Sequence, residues 1–173
     1  MANIFLISDT HFNHANILNF LGDDGKPFRN FKDVHHMDEH MIEMWNKTVS
    51  PQDKVYHLGD VTMLKDLSIL KRLNGHKRLV RGNHDVASVR EYLQYFEEIY
   101  GSRVLDHMIL THIPIHVDSL GRFKGNIHGH IHQRKLSDPR YYNVSVERVD
   151  YTPISLEEVS LRLDKQLHDT NHY

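Results

Sequence analysis

Five short motifs that contain histidine and aspartate are spread along this chain of 173 residues. Each follows a short apolar run that is typical of a β-strand. The motifs are Asp9-Thr10-His11, Gly59-Asp60, Gly82-Asn83-His84-Asp85, Thr111-His112 and Gly129-His130-Ile131-His132. Together they offer two carboxylates, four imidazoles and one amide carbonyl, besides His84 and Asp85 of the third motif. Carboxylate and imidazole groups in this number indicate a site for two divalent metal ions.

The order of the motifs resembles that of the calcineurin-like metallophosphoesterases, and the resemblance runs from residue 4 to about residue 145. Among them, a chain of this size is most similar to small single-domain bacterial and phage phosphoesterases. The resemblance implies a four-layer αββα sandwich with a dinuclear metal site at the carboxyl ends of the strands. It assigns one ion to Asp9, His11, Asp60 and His132 and the other to Asp60, Asn83, His112 and His130, with Asp60 as the bridge.

The donor types favour manganese, iron, zinc, cobalt or nickel over calcium, and we expect manganese first. Two divalent ions bring four positive charges, of which Asp9, Asp60 and a bridging hydroxide would neutralise three. The site would stay near one positive charge and attract an anionic phosphate. The chain contains no cysteine, which excludes cysteine nucleophiles and thiolate zinc sites. Two ions about 3.5–4 Å apart can lower the pKa of a bridging water, so the expected nucleophile is a hydroxide and no protein nucleophile is needed, which is consistent with the absence of cysteine.

His84 is assigned to neither ion. The resemblance implies that this histidine lies over the substrate and protonates the leaving alkoxide, a task that suits an imidazole. Many family members have a second aspartate three residues after that of Gly59-Asp60, and it orients the histidine. Here that position is Met63. Either Asp85 or another group positions His84, or His84 acts mainly as a hydrogen-bond donor to phosphate.

Three further residues next to the motifs have two interpretations each. Arg81 precedes Gly82-Asn83, so it would bind a phosphate in bidentate fashion or form a structural ion pair. His14 would contact the substrate or cap the following helix. His57, inside a predicted strand, would pack or support a metal ligand. Four basic residues in two glycine-containing loops are predicted to be solvated: Lys26, Arg29, Arg122 and Lys124.

Strands and helices alternate in the first half of the chain, and strands dominate later, which predicts a layered α/β fold. We expect one domain over residues 1–173. Asp33 is the predicted N-cap of an amphipathic helix with an apolar stripe at Met37, Met41, Met44, Trp45 and Thr48. Further helices are predicted at 15–21, 64–73, 86–96 and 155–167, the last with a Ser155/Glu158 capping box. Later strands are predicted at 98–105 and 107–111, which form a meander, and at 142–149.

The net charge of −2 and the pI of about 6.8 argue against extensive electrostatic binding of long nucleic acid or of an anionic membrane. No apolar stretch approaches the length of a membrane span. The apolar run near the N-terminus is too short for a signal peptide and lacks a basic segment before it. We therefore expect a cytoplasmic protein.

These observations favour an enzyme that hydrolyses phosphomonoesters or phosphodiesters of small molecules or nucleotides. A nuclease or a cyclic-nucleotide phosphodiesterase would use the same centre. A non-catalytic interaction module that retains the fold is the rival from another class, although such relatives lack ligands that are all present here. The sixteen histidines also raise the hypothesis of a metal-buffering protein, but that role would not need this motif order.

Overall fold

The computed structural model describes residues 2–170. Nine strands in this range, numbered β1 to β9 in chain order, form two sheets. The first sheet has the order β4-β3-β2-β1-β9, with β1 to β4 parallel and β9 antiparallel to β1. Its strands are β1 (Ile4–Ile7), β2 (Lys54–His57), β3 (His76–Val80), β4 (Glu98–Tyr100) and β9 (Ile154–Ser155).

The second sheet has the order β5-β6-β7-β8. Its strands are β5 (Arg103–Leu105), β6 (Met108–Leu110), β7 (Gly125–His128) and β8 (Tyr141–Asn143). β5 and β6 form an antiparallel hairpin, whereas β6, β7 and β8 run parallel. The α/β class that was predicted from the sequence is confirmed, and its sheets are mixed.

One hydrophobic core lies between the first sheet and the helices that cover it. The three α-helices of the described range are α1 (Val34–Thr48), α2 (Val89–Tyr92) and α3 (Leu156–Thr170). Met37, Met41 and Trp45 of α1 are buried against the outer face of the first sheet, as their helical spacing predicts. The side chain of Asp33 accepts a hydrogen bond from the His36 backbone N–H at 2.8 Å, which confirms the predicted N-cap.

The second core lies between the two sheets. Because successive side chains of a strand point to opposite faces, Leu6 points away from α1 while its neighbours Phe5 and Ile7 point towards it. Helix α3 closes this layer with Val159 and Leu163. The inner faces of the sheets contribute Leu6, Tyr56, Val80, Met108, Leu110 and Ile127.

The two sheets meet at the edge where their parallel strands end. The backbone N–H of Ser8 donates to the carbonyl of Val144 at 3.0 Å, and the N–H of Val146 donates to the carbonyl of Ser8 at the same distance. This bridge joins the end of β1 in one sheet to the segment after β8 in the other. All five motifs follow the carboxyl ends of β1, β2, β3, β6 and β7, so loops from both sheets converge there.

The predicted meander is confirmed only in its second part, since Arg103–Leu105 and Met108–Leu110 pair in antiparallel fashion. Residues 98–105 do not form one strand, because the chain leaves the first sheet after Tyr100 and enters the second sheet at Arg103. Glu98–Tyr100 pairs with β3, and Arg103–Leu105 pairs with β6. Each piece thus extends an edge of a different sheet.

Two predicted helices are much shorter than expected. Of residues 86–96 only Val89–Tyr92 is α-helical. The helix starts late because the carbonyls of Asp85 and Ala87 accept hydrogen bonds from the guanidinium of Arg81 and Ser88 caps the first turn. Of residues 64–73 only Ser68–Arg72 is helical, and it is a 3-10 helix. The predicted helix at residues 15–21 is likewise a 3-10 helix, Ala15–Asn19.

The ends of two other predicted elements also differ. The closing strand stops at Asn143, since the N–H of Val146 turns to the carbonyl of Ser8 in the other sheet. The C-terminal helix starts at Leu156. The hydroxyl of Ser155 accepts a hydrogen bond from the N–H of Glu158, which is one of the two hydrogen bonds of the predicted capping box. Within residues 2–170, no helix has the length and apolar character to cross a membrane.

We expect Leu6→Ala to lower the free energy of unfolding by about 2–5 kcal/mol, because Leu6 is fully buried between the sheets and its truncation leaves a cavity. Urea unfolding followed by circular dichroism measures the change. Leu161→Ala is the matched control, since Leu161 is 64% exposed and its truncation should change stability by only about 0.5 kcal/mol. Equal losses in both variants would contradict the assignment of this layer as a core.

Candidate metal centre

The first two motifs are joined by backbone hydrogen bonds. The N–H of Asp9 donates to the carbonyl of Gly59, and the N–H of His11 donates to the carbonyl of Asp60, each at 3.0 Å. These bonds continue the parallel ladder between β1 and β2 beyond the strands themselves. They place the side chains of Asp9, His11 and Asp60 at the same point of the sheet edge.

The ligand candidates have an unusual backbone conformation. In extended backbone, side chains two residues apart point the same way, but Asp9 and His11 are not extended, because their φ angles are positive. The left-handed conformation costs an L-residue about 1 kcal/mol or more. Five of the seven predicted ligands adopt it: Asp9 (58°), His11 (48°), Asp60 (56°), His130 (70°) and His132 (50°). Such strain at several neighbouring positions is typical of functional sites.

Close backbone approach depends on two of the motif glycines. A Cβ atom added to Gly82 would overlap the carboxylate and backbone nitrogen of Asp60. A Cβ atom added to Gly129 would overlap the hydroxyl of Ser8 and the carboxylate of Asp9. Only glycine allows these loops to approach so closely.

Asp9, His11 and His132 form the first candidate metal-binding group, and their ligand atoms lie within 4.8 Å of one another. Oδ1 of Asp9 and both ring nitrogens of His11 are buried and have no hydrogen-bond partner among the described residues. Buried polar atoms are almost always paired, because an unpaired one loses the hydration it had in the unfolded chain. A cation between these atoms would give Asp9 and His11 the missing partner, so the donor set fits a metal ion.

Asp60, His112 and His130 form the second group. The carbonyl of Leu58 accepts a hydrogen bond from Nδ1–H of His112 at 2.7 Å. The lone pair of Nε2 therefore points into the site. Nε2 lies 2.9 Å from Oδ1 of Asn83 and 3.3 Å from Oδ2 of Asp60. In the neutral ring these three atoms are all acceptors, and a cation is the partner that suits them together.

Asp60 lies between the two groups. Its Oδ2 is 3.6 Å from Nε2 of His11 and 3.3 Å from Nε2 of His112, which belong to different groups. Its Oδ1 accepts a hydrogen bond from the backbone N–H of His84 at 2.8 Å. The carboxylate thus has one oxygen held by the chain and one shared by both groups, as a bridging ligand needs.

The electrostatics of the site favour neutral imidazole at one end and a charged carboxylate at its centre. Burial lowers the pKa of His11 to about 2, so its ring keeps a free lone pair. Burial alone would raise the pKa of Asp60, but the hydrogen bond and charge of His112 overcome it and lower that pKa to about 2. Burial also opposes charge on His112, whose pKa is nevertheless raised by the carboxylates of Asp60 and Asp9.

Arg29 was predicted to be a solvated loop residue, and this prediction is wrong. Its side chain is fully buried beneath the first group. The guanidinium donates to the carbonyl of Asp9 at 2.5 Å, to that of Thr10 at 2.7 Å and to Oε1 of Glu147 at 2.8 Å. It therefore holds the backbone of the first motif in place.

Glu147, which the sequence did not single out, connects Arg29 to the last motif. Its Oε1 accepts from Nδ1 of His132 at 3.0 Å, which directs Nε2 of that ring away from Glu147 and leaves it free to bind a metal. Burial would raise the pKa of Glu147, but Arg29 and His132 lower it to about 2. Arg29 and Glu147 are 118 residues apart, and no local pattern links them.

Asp85 supports the loops and not the ring of His84. Its Oδ2 accepts from the N–H groups of Asp60 and Gly82, and its Oδ1 accepts from that of Val61, at 2.7–3.0 Å. Within residues 2–170 no hydrogen bond reaches the His84 ring. The ring is exposed, and its centroid lies 5.9 Å from that of His11. The hypothesis that Asp85 orients His84 is therefore not supported.

Arg81 and His14 do not make the structural contacts that the sequence suggested for them, an ion pair and a helix cap, within the described residues. Arg81 forms no salt bridge among the described residues; its guanidinium instead binds the carbonyls of Asp85 and Ala87 at 2.8–3.0 Å. The side chain of His14 makes no capping hydrogen bond, and its ring lies 5.5 Å from that of His11 at the margin of the site.

His57 supports the site, as one of its two interpretations predicts. It is buried between the hydroxyl of Thr10, 2.9 Å from Nε2, and the N–H of Gly59, which donates to Nδ1 at 3.2 Å. The other loop cations lie outside the site. Lys26 and Arg122 are exposed as predicted, whereas Lys124 binds Asp164 at 2.9 Å.

We expect Glu147→Gln to lower the free energy of unfolding of the metal-free chain by about 3–5 kcal/mol at pH 7, because it leaves Arg29 buried without its carboxylate. The depressed pKa of Glu147 stabilises the folded state fully above its unfolded value of 4.5. This contribution is lost as the pH falls towards about 2. The difference between the two proteins in urea unfolding should therefore shrink below pH 4.5, and a difference that grew on acidification would contradict the assignment.

No family model matches the chain. The "Gene 66 protein" of Mycobacterium phage D29 is 28% identical, over 85% of this chain and 89% of the phage protein. A crystal structure of the protein of unknown function AQ665 from Aquifex aeolicus superposes with a TM-score of 0.74 at 30% identity, and covers 93% of this chain and 99% of that one.

The uncharacterized protein MJ1445 of Methanocaldococcus jannaschii is 35% identical over 95% of this chain and 93% of its own length. Similarity of this degree along nearly the whole of both chains extends over all five motifs. The chain therefore belongs to the same family as MJ1445.

Proposed function

We propose that this protein is a metal-dependent phosphoric ester hydrolase of the calcineurin-like type. The observation that carries the proposal is the pair of ligand groups on either side of Oδ2 of Asp60, the first of which contains buried polar atoms without a hydrogen-bond partner among the described residues. Two divalent ions, manganese first among the candidates, would supply positive charge for a phosphoryl group and lower the pKa of a bound water. Asp9, His11, Asp60 and His132 would hold one ion, and Asp60, Asn83, His112 and His130 the other.

The substrate side of the centre is formed by Asn83 and His84, which are exposed, whereas Asp9, His11, Asp60 and His112 are buried. A phosphate ester that enters from solvent would meet these two side chains first. The amide of Asn83 would donate to a phosphoryl oxygen while its Oδ1 faces His112. These contacts orient the ester without a covalent bond to the protein.

His84 would donate a proton to the leaving oxygen. Its backbone N–H is fixed to Asp60, which ties the position of the residue to the centre, and its ring remains accessible. In hydrolysis a water that has lost a proton to solvent forms a bond to phosphorus through its oxygen, the ester P–O bond breaks, and the alkoxide takes up the proton from the imidazole, which regains one from solvent. A ring that no carboxylate orients can act in this way, although with more freedom than an oriented one.

A non-catalytic module remains the rival function. It would bind a partner through the same fold and would not need His84 or a complete ligand set. All seven predicted ligands lie at one edge of the sheets, which favours the enzyme. Turnover, and not metal binding alone, distinguishes the two.

We expect His84→Ala to reduce kcat by about 10²- to 10⁴-fold for bis-p-nitrophenyl phosphate or p-nitrophenyl phosphate, because it removes the proposed general acid. The protein is first chelated and then reloaded with manganese. Its metal content should not change, since His84 is not a ligand. His35→Ala is the matched control, because the His35 side chain is 83% exposed on α1. Loss of metal in His84→Ala would show that the residue was misassigned, and absence of turnover in wild type would favour the non-catalytic module.

We expect Asp60→Asn to lose both ions together, since one carboxylate serves both groups. Metal content after gel filtration and calorimetric titration with manganese measure this loss. Asp118→Asn, whose side chain is 88% exposed, should keep the wild-type stoichiometry. Retention of two ions by Asp60→Asn would remove its bridging role.

A further inference from the structure

We propose that the substrate is a short phosphodiester that joins two nucleosides, one bound at each end of the metal centre. This inference rests on the proposed function and deepens it, because the metal ligands alone do not distinguish a monoester from a diester. It is based on two apolar surfaces that adjoin different ligand groups.

The first surface is a hairpin formed by residues 20–28. The N–H of Phe28 donates to the carbonyl of Phe20 at 2.8 Å, and the N–H of Gly22 donates to that of Lys26 at 2.7 Å. Arg134, two residues after His132, binds Asp23 of the hairpin at 2.8 Å. The hairpin is thus held against the last metal motif.

Aromatic rings of this hairpin form a wall around the first ligand group. The ring of Phe28 lies 5.4 Å from that of His132, and the ring of Phe20 lies 5.7 Å from that of His14. The ring of His11 also contacts those of His14 and His132, and the ring of Phe20 contacts that of Phe28. The centroids in these pairs are 5.3–6.3 Å apart, so the five rings form a closed set of contacts. Phe20 is 46% exposed, so a base can stack on its free area.

The second surface adjoins the other ligand group. A cavity of about 500 Å³ is lined by Asn83 and His112 of that group together with Arg81, Ile113 and Ile115. Ile113 is 51% exposed, although it directly follows a buried ligand candidate. The volume lies within the range of small-molecule sites, about 300–1,000 Å³, and its walls are mainly apolar.

The positions of the two surfaces point to a diester. The phosphorus of a monoester has one carbon-bearing substituent, which would occupy one surface and leave the other empty. A diester has two, and its phosphate would lie over the metal centre while one substituent reaches Phe20 and the other reaches Ile113. Because both surfaces are aromatic or apolar and the chain has a net charge of −2, they fit bases better than a long run of phosphates.

The test compares thymidylyl-thymidine with thymidine 5′-methyl phosphate and thymidine 5′-monophosphate on the manganese-loaded wild-type protein, with products separated by chromatography. The dinucleotide has two bases, whereas the methyl diester has one. We expect kcat/KM for the dinucleotide to exceed that for either of the others by roughly tenfold or more, since stacking of one base contributes about a five- to hundredfold effect.

Phe20→Ala and Ile113→Ala probe the two surfaces separately. Phe20→Ala should lower kcat/KM for the dinucleotide by roughly five- to hundredfold, because it removes a stacked ring. Ile113→Ala should lower it by roughly tenfold, because it removes apolar contact area. Both variants should reduce the preference over the methyl diester without change in metal content. Phe20→Trp should restore the preference, because it restores a ring. Leu161→Ala is the control, since Leu161 is an exposed apolar residue on α3.

Each outcome separates this inference from the function on which it rests. Hydrolysis of the esters without a preference for the dinucleotide, or a preference for the monophosphate, would overturn the two-nucleoside assignment and leave the hydrolase in place. Metal-dependent hydrolysis of none of these esters, nor of bis-p-nitrophenyl phosphate, would overturn both. A preference that both alanine variants retain would show that these surfaces do not bind the bases.

Discussion

The carboxylate of Asp9 is the point on which the rest of the site depends. It is completely buried, and its Oδ2 accepts hydrogen bonds from the N–H of His130 and the hydroxyl of Ser145, each at 2.9 Å. Asp9 lies after β1 of the first sheet, whereas His130 lies after β7 and Ser145 after β8 of the second sheet. One buried acceptor thus fixes the distance between two sheets and leaves its other oxygen directed at the first ligand group.

This arrangement has a cost in stability. Burial raises the pKa of Asp9, which means that the charged carboxylate is disfavoured there, and the ring nitrogens of His11 have no hydrogen-bond partner within residues 2–170. Left-handed backbone at several ligands adds to the cost. Arg29 and Glu147 offset part of it, because their buried ion pair fastens the backbone of Asp9 and the ring of His132. A metal ion would stabilise the same atoms further, so folding and metal binding should be coupled.

The two ends of the centre differ in their surroundings. An aromatic hairpin lies beside the first group, and an apolar cavity lies beside the second. His84 lies on the open side with its ring close to His11. The ligand candidates can set the type of reaction, while the aromatic side chains of the hairpin and the apolar side chains of the cavity can select the ester.

The sequence by itself determined the α/β class and the positions of the ligand candidates at strand ends, because apolar runs and adjacent motifs are local signals. Tertiary structure decided the rest. Residues 98–105 divide between two sheets because each sheet offers a free edge. Arg29 looked like a loop charge until the fold placed Glu147, 118 residues away, against it. Phe20 borders the centre only because its hairpin packs against residues 132–134, more than 100 positions later in the chain. Contacts over such a separation produce no pattern in the local sequence.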